Sequence, residues 1–225
     1  MSQSDDEVDE DGHADGHAPL MGWAGAESRV KLRLYRREGL PQNGLVSWPV
    51  ADDLVAVLVH GRGGRLDPVR DEVRAGWGGV EDGEVFRSAL ENVARGDAPM
   101  VEDLRFQDVV PGRALYGDST YTATHALHLA RFVDPPPLGL LLGLPHRHAV
   151  LMHRIAGVNV LVAMETLLQM IHGMHQAGPA PLSDQLYWWH EGEIVRLPSS
   201  KRNGTVELRP PPAFVEKVLA PLTRD

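Results

Sequence analysis

The chain contains no cysteine, so disulfides, thiolate metal sites and cysteine nucleophiles are all excluded. That absence fits a reducing compartment, and the expectation is a cytoplasmic protein. Lysine is scarce as well, three residues against nineteen arginines. Such a ratio, in a chain rich in Gly, Ala, Pro and Val, reflects GC-rich coding. Arginine number alone is therefore no sign of phosphate recognition. No basic stripe interleaved with aromatics is present, so nucleic acid is not an expected partner. No apolar run reaches the length of a clean membrane span. The first twenty residues show neither a basic n-region nor an apolar h-region; no signal peptide is visible, and no membrane is expected as a partner.

Charge is present but unevenly placed. The net value is −9, yet residues 1–19 carry seven acidic side chains and no Lys or Arg, while the rest of the chain holds 24 acids against 22 bases. Acidic runs poor in apolar residues cannot bury enough surface to offset backbone entropy. A disordered, solvated tail is expected over residues 1–23, with a single domain over 24–225. The 225 residues and 43% apolar content allow a sizeable core.

Within that domain, "SRVKLRLYR" (28–36) alternates apolar and basic residues as a half-buried strand does, and "LVAVLVH" (54–60) reads as a buried one. Residues 82–95 repeat Val85, Phe86, Ala89, Leu90 and Val93 at helical spacing, with Gly96 as the stop. A short helix is expected within 117–133, capped by Asp118 or Ser119 and ended by "DPPP". Residues 138–155 predict a hairpin about Pro145-His146-Arg147. Residues 158–176 predict an amphipathic helix whose Glu165, Gln169, His172 and Gln176 form one polar stripe. Two further hairpins turn at Glu191-Gly192 and at Asn203-Gly204, and a short helix containing Phe214 and Val218 closes the chain. Hairpins with helices between them predict an α+β fold, its sheet mostly antiparallel.

From about residue 76 onward, "GWGGVEDGEVFRSALENVAR", "GDSTYTATHAL", "LLLGLPHRHAVLMHRI" and "GPAPLSDQLYWWHEGEIV" follow one another in an order that resembles the YtpQ-like family of bacterial proteins, whose function is uncharacterised. That family has a Trp-Gly pair before an Ala-x-x-Asn-Leu helix, an Asp and an aromatic opening the next helix, and a proline ending a strand. Trp77, Gly78, Ala89, Asn92, Asp118, Tyr121 and Pro145 stand at those places; His148 stands where the family usually carries Asp. The resemblance covers roughly two thirds of the chain and is clearest over 76–197. It also implies that Gly61-Arg62-Gly63-Gly64 is a connector between elements. The other reading of that cluster is an oxyanion loop of the His-Gly-Gly kind.

Several residues invite chemistry. Gly117-Asp118-Ser119-Thr120-Tyr121 approaches a nucleophile elbow but has Tyr121 in place of the second glycine, and the strand before it, Ala114-Leu115-Tyr116 after Pro111-Gly112, is too short to be central. Asp184 and His190 would follow Ser119 in triad order. Ser119 as a helix cap is the commoner use of such a serine. His125 and His128 are three apart, as are His172 and His175. His146 and His148 are the best metal-ligating pair, yet no HExxH or other complete signature exists. No catalytic residue and no cofactor are assigned. Trp188 and Trp189 alternate faces on a strand, so one should fill the core while the other faces outward as an interface anchor. The expectation is a non-enzymatic protein-binding or accessory module, an immunity-type protein being one variant. It would contact a protein partner of unidentified kind through a sheet face or hairpin, with Trp188, Trp189, Asp118 and Tyr121 as candidate contact residues. The alternative is a hydrolase using Ser119 or a histidine-bound metal.

Overall fold

The computed structural model of the chain describes residues 22–41, 43–62, 65–202 and 205–222. The acidic tail falls almost wholly outside the described residues. The first helix, α1 (Trp23–Ala26), leads into β1 (Val30–Arg36), β2 (Ser47–Pro49), β3 (Leu54–Arg62) and β4 (Arg65–Pro68). β3 is the centre of this sheet. It pairs along its length with β1, and with β2 and then β4 on its other edge, all antiparallel. The continuous apolar run is explained by burial on both sides: Leu54, Ala56 and Leu58 face the main core, while Val55, Val57 and Val59 pack under Tyr35, Leu45 and Tyr121. Arg62 pairs with Arg65, so Gly63 and Gly64, outside the described residues, are the only link between two antiparallel neighbours. An oxyanion loop leads from a strand toward a helix; this cluster is a connector between strands.

α2 (Asp71–Ala75) and α3 (Asp82–Gly96) follow. Val85, Ala89 and Val93 give α3 its buried stripe. The second sheet is built from β5 (Met100–Phe106), β6 (Val110–Tyr116), β7 (Leu140–Gly143), β8 (Ala149–Arg154), β9 (Leu186–His190) and β10 (Glu193–Leu197). Its strand order is β10-β9-β7-β8-β6-β5, with antiparallel neighbours throughout. β6 starts at Val110 and runs straight through Pro111-Gly112 to Tyr116, so it is longer than the three residues the sequence suggested. The β9–β10 turn has Glu191 at φ 53° and Gly192 at φ 87°, the two left-handed positions of a type I′ hairpin. β11 (Ser199–Arg202) and β12 (Thr205–Leu208) form a separate hairpin, whose Asn-Gly turn lies outside the described residues.

This sheet divides two cores. Leu140, Leu142, Val150, Met152, Tyr187 and Trp189 face the first sheet and α3. Leu141, Leu151, Leu186 and Trp188 face α4 (Val160–Ala177) and the C-terminal helical segment carrying Phe214 and Val218. The architecture is α+β, as the sequence predicted. Residues 122–131 are a 3₁₀ helix interrupted at His128 (φ −141°, ψ 46°). Among the described residues, no helix is long and apolar enough to cross a membrane.

Candidate functional site

The sheet splits between β6 and β8. Their ladder reaches from Tyr116↔Ala149 only to Arg113↔Met152, and beyond that the strands part. Pro111 has no N–H to continue the ladder. Its carbonyl faces β8, where it accepts a hydrogen bond from His153 Nδ1 at 2.7 Å, so its missing N–H faced the same side. Phe106 fills the space over Gly112: an added Cβ there would lie 2.1 Å from the phenyl ring. A side chain thus replaces the ladder, and the gap opens as a cleft of about 810 Å³.

The inner walls of the cleft are aliphatic: Leu104, Val133, Leu140, Met152 and Val160. Its polar groups are few. Asp103 binds Arg113 through two hydrogen bonds, 2.6 and 2.9 Å, and Arg113 also donates to the Phe132 carbonyl. That pair holds the Asp103 carboxyl below its usual range. Asp134 lines the cleft near Arg113. Arg105 and Arg154 line it too, and among the described residues neither side chain has a hydrogen-bond or ion-pair partner. His153 is buried, 9% exposed, and burial lowers its pKa. A carbonyl can only accept, so Nδ1 carries the proton and the neutral ring presents Nε2 as an acceptor. The amino end of α4, at Asn159 and Val160, forms the remaining wall.

A second polar group lies between α3 and the 3₁₀ helix. His125 Nε2 donates to Asp97 Oδ2 at 3.0 Å, and His125 Nδ1 contacts His128 Nε2 at 2.6 Å. A carboxylate only accepts, so the proton order is fixed: His128 donates to His125, and His125 to Asp97. Phe132 stands edge-on to the His125 ring. Burial lowers the pKa of both histidines, that of His128 to about 4. A third group ties the two sheets together. Tyr187 donates to Asp53 Oδ2 at 2.8 Å, and Ser183 sits 3.2 Å from the same oxygen and 2.5 Å from the Tyr187 hydroxyl. Burial, with Asp53 beside it, raises the Tyr187 pKa far above its ordinary value, so this phenol stays protonated and acts as an anchor.

The residues singled out from the sequence do not assemble into one site. Trp188 and Trp189 do alternate faces, but both are buried, at 3% and 6% exposure. β9 is an interior strand with a core on each side, so neither tryptophan faces outward. Trp188 donates to the Leu138 carbonyl at 2.9 Å and stacks on His190. Tyr121 is half-buried against the valines of β3 with Lys31 above its ring. Asp118 is exposed. His146 and His148 have ring centroids 6.2 Å apart. His146 Nδ1 accepts from the His148 N–H, and His148 Nδ1 donates to Gly117 O. Among the described residues no group of three or more His, Asp or Glu side chains could hold a metal ion.

Ser119 Oγ accepts from the Tyr121 N–H at 3.1 Å, and its carbonyl receives Thr122. It caps the turn before the 3₁₀ helix, with no imidazole or carboxylate among its hydrogen-bond partners in the described residues. His190 faces Glu191 and Trp188 instead. Fluorophosphonate labelling is therefore expected to fail on the wild-type protein; labelling that disappears in Ser119→Ala would contradict this geometry. Comparison with known proteins adds nothing to either reading: no family model, no curated protein and no solved structure matches the chain.

Proposed function

We propose that the protein is a cytoplasmic, non-enzymatic binding module that receives an extended segment of a protein partner along β5. The observation that carries this reading is the free edge of that strand. β5 ends its sheet, and among the described strands it pairs with β6 alone. Six of its seven residues are exposed or half-buried. Met100 is 70% exposed and Val101 48%, and Val109 in the turn to β6 is 62% exposed. Large apolar side chains beside an unpaired ladder are the ingredients of strand addition.

Parity identifies the groups on offer. The Pro111 carbonyl faces β8, so Pro111, Arg113 and Leu115 direct their backbone groups away from β5. Of their partners, Asp103 and Val101 therefore direct theirs to the open edge, while the Arg105 carbonyl accepts from the Asp108 N–H in the turn. Val101→Pro removes one outward N–H and none from the β5–β6 ladder, a placement that edge strands tolerate.

The test is affinity capture with the full chain, followed by titration of the purified partner. Binding by the wild type and a loss of at least about tenfold in Val101→Pro, roughly 1.4 kcal/mol, is the expected result. A titrated partner that Val101→Pro binds equally well overturns it. Catalytic turnover lost on mutating any residue of the Asp97, His125 and His128 chain overturns the non-enzymatic part.

A further inference from the structure

We infer that the cleft between β6 and β8 binds a small aliphatic organic acid as its monoanion. This does not rest on the strand-edge reading, because the cleft and the edge use different groups of β5: side chains for one, outward backbone for the other.

Three features define the ligand. Size and lining come first: a volume of about 810 Å³ with Leu104, Val133, Leu140, Met152 and Val160 in the walls has the form of a small-molecule site, apolar with a few placed polar groups. None of the lining residues is aromatic apart from the His153 imidazole, so an aliphatic body fits better than a stacked ring. Charge comes second. Arg105, Arg113 and Arg154 oppose Asp103 and Asp134, leaving the lining with one net positive charge. Arg113 is already committed to Asp103, and the two arginines without partners, Arg105 and Arg154, are exposed at the mouth. The positive end of the eighteen-residue α4 opens onto the same space. One surplus positive charge matches a carboxylate better than a phosphate dianion.

The third feature is His153. It is nine-tenths buried in the cleft wall, its Nδ1 is spent on Pro111, and its Nε2 has no partner among the described residues. That nitrogen is not sealed from solvent, so a ligand hydroxyl entering the cleft can reach it and donate to it. The complementary molecule carries its carboxylate to Arg105 and Arg154, a hydroxyl to His153 Nε2, and its chain along the aliphatic wall.

The probe is 3-hydroxyoctanoate, titrated into the isotope-labelled full chain and followed by amide chemical shifts. The expected result is saturable binding that moves the Gly112, His153, Gly157 and Asn159 amides. Affinity should fall at least about tenfold in Arg105→Gln/Arg154→Gln, since a charge-assisted hydrogen bond is lost at each position. Both side chains are exposed, so the variant should fold as the wild type does. The methyl ester, which lacks the charge, should bind at least about tenfold more weakly, and inorganic phosphate should leave these amides unmoved. Val101→Pro should bind the acid as the wild type does, which separates failure here from failure of the strand-edge reading. No saturable shift at these amides overturns the inference, as does equal binding of the ester, of phosphate, or by the double-arginine variant.

Discussion

Gly139→Ala should cost the protein at least about 3 kcal/mol of stability, a large effect for a single added methyl. Gly139 lies between the proline-rich segment and β7, at φ +81°. An L-residue there pays roughly 1–2 kcal/mol for the left-handed backbone alone. The larger part is steric. An ideal Cβ would stand 2.3 Å from the Trp189 carbonyl oxygen, 2.7 Å from Trp188 Nε1 and 3.3 Å from the His190 Cβ. The nearest of these atoms is backbone of the adjacent strand and cannot rotate away. Relief by moving the loop would break the Trp188 indole bond to the Leu138 carbonyl and the Gly139 N–H bond to Pro136, at the point where Leu140 enters register with Trp189. At about 2–4 °C per kcal/mol for a chain of this size, the melting temperature should fall by about 6–12 °C. Urea denaturation checks the free energy directly. Gly173→Ala is the matched control. It lies within α4 with nothing inside 4 Å of the added carbon, so the same substitution should stabilise by about 0.5–1 kcal/mol. A Gly139→Ala protein as stable as the wild type would mean that β7 and β9 do not meet here as described.

The contrast between those two glycines shows what the sequence could and could not convey. β1 and β3 were legible because their side chains state their surroundings: alternation in one, a wholly apolar run in the other. α3 and α4 announced themselves by spacing. β5 did not, because "MVEDLRF" is exposed on nearly all its positions and carries no period for burial to write. Trp188 and Trp189 were misjudged for a related reason. Alternation reveals that two neighbours face opposite ways, but not how many layers lie beyond each face. That depends on β9 being an interior strand, decided by β7 and β10 on either side of it.

The cleft was less legible still. Its walls come from segments near residues 104, 112, 133, 153 and 158, brought together by sheet order. One local signal existed. A proline inside a strand has to be excused from the ladder, and Pro111 marks the point where β6 leaves β8. Read as a reason to shorten the strand, it concealed the feature that it creates. The three-residue spacing of His125 and His128 was visible as a pair, but its third member, Asp97, lies 28 residues before His125, on the far side of the β5–β6 hairpin.

That carboxylate–imidazole chain should make the protein acid-sensitive well above the range in which carboxylates titrate. In the unfolded chain His128 takes up a proton near its ordinary pKa of 6.5; in the folded chain burial, with His125 and Arg131 close by, delays this to about 4. Between those values the unfolded state holds more protons, so stability rises with pH and is lost as pH falls through the window. His125, His146 and His153 are shifted in the same direction by burial, and their contributions add to the loss. For His128 alone the full shift would cost about 2 kcal/mol at pH 5; its ring is only partly buried, so solvent screening lowers that figure, and even about 1 kcal/mol counts against the roughly 5–15 kcal/mol that holds a domain together. Thermal melts at half-unit steps from pH 7.5 to 4.5 should therefore be flat above about pH 7 and fall steeply below 6.5. His128→Gln keeps an N–H donor for His125 Nδ1 and removes the titrating ring, so its melting curve should fall by markedly less over the same interval while matching the wild type at pH 7.5. A wild-type curve that stays level to pH 5, or a variant with an unchanged slope, would show that His128 is open to protons in the folded protein and that the Asp97, His125 and His128 chain is not closed as the structure places it.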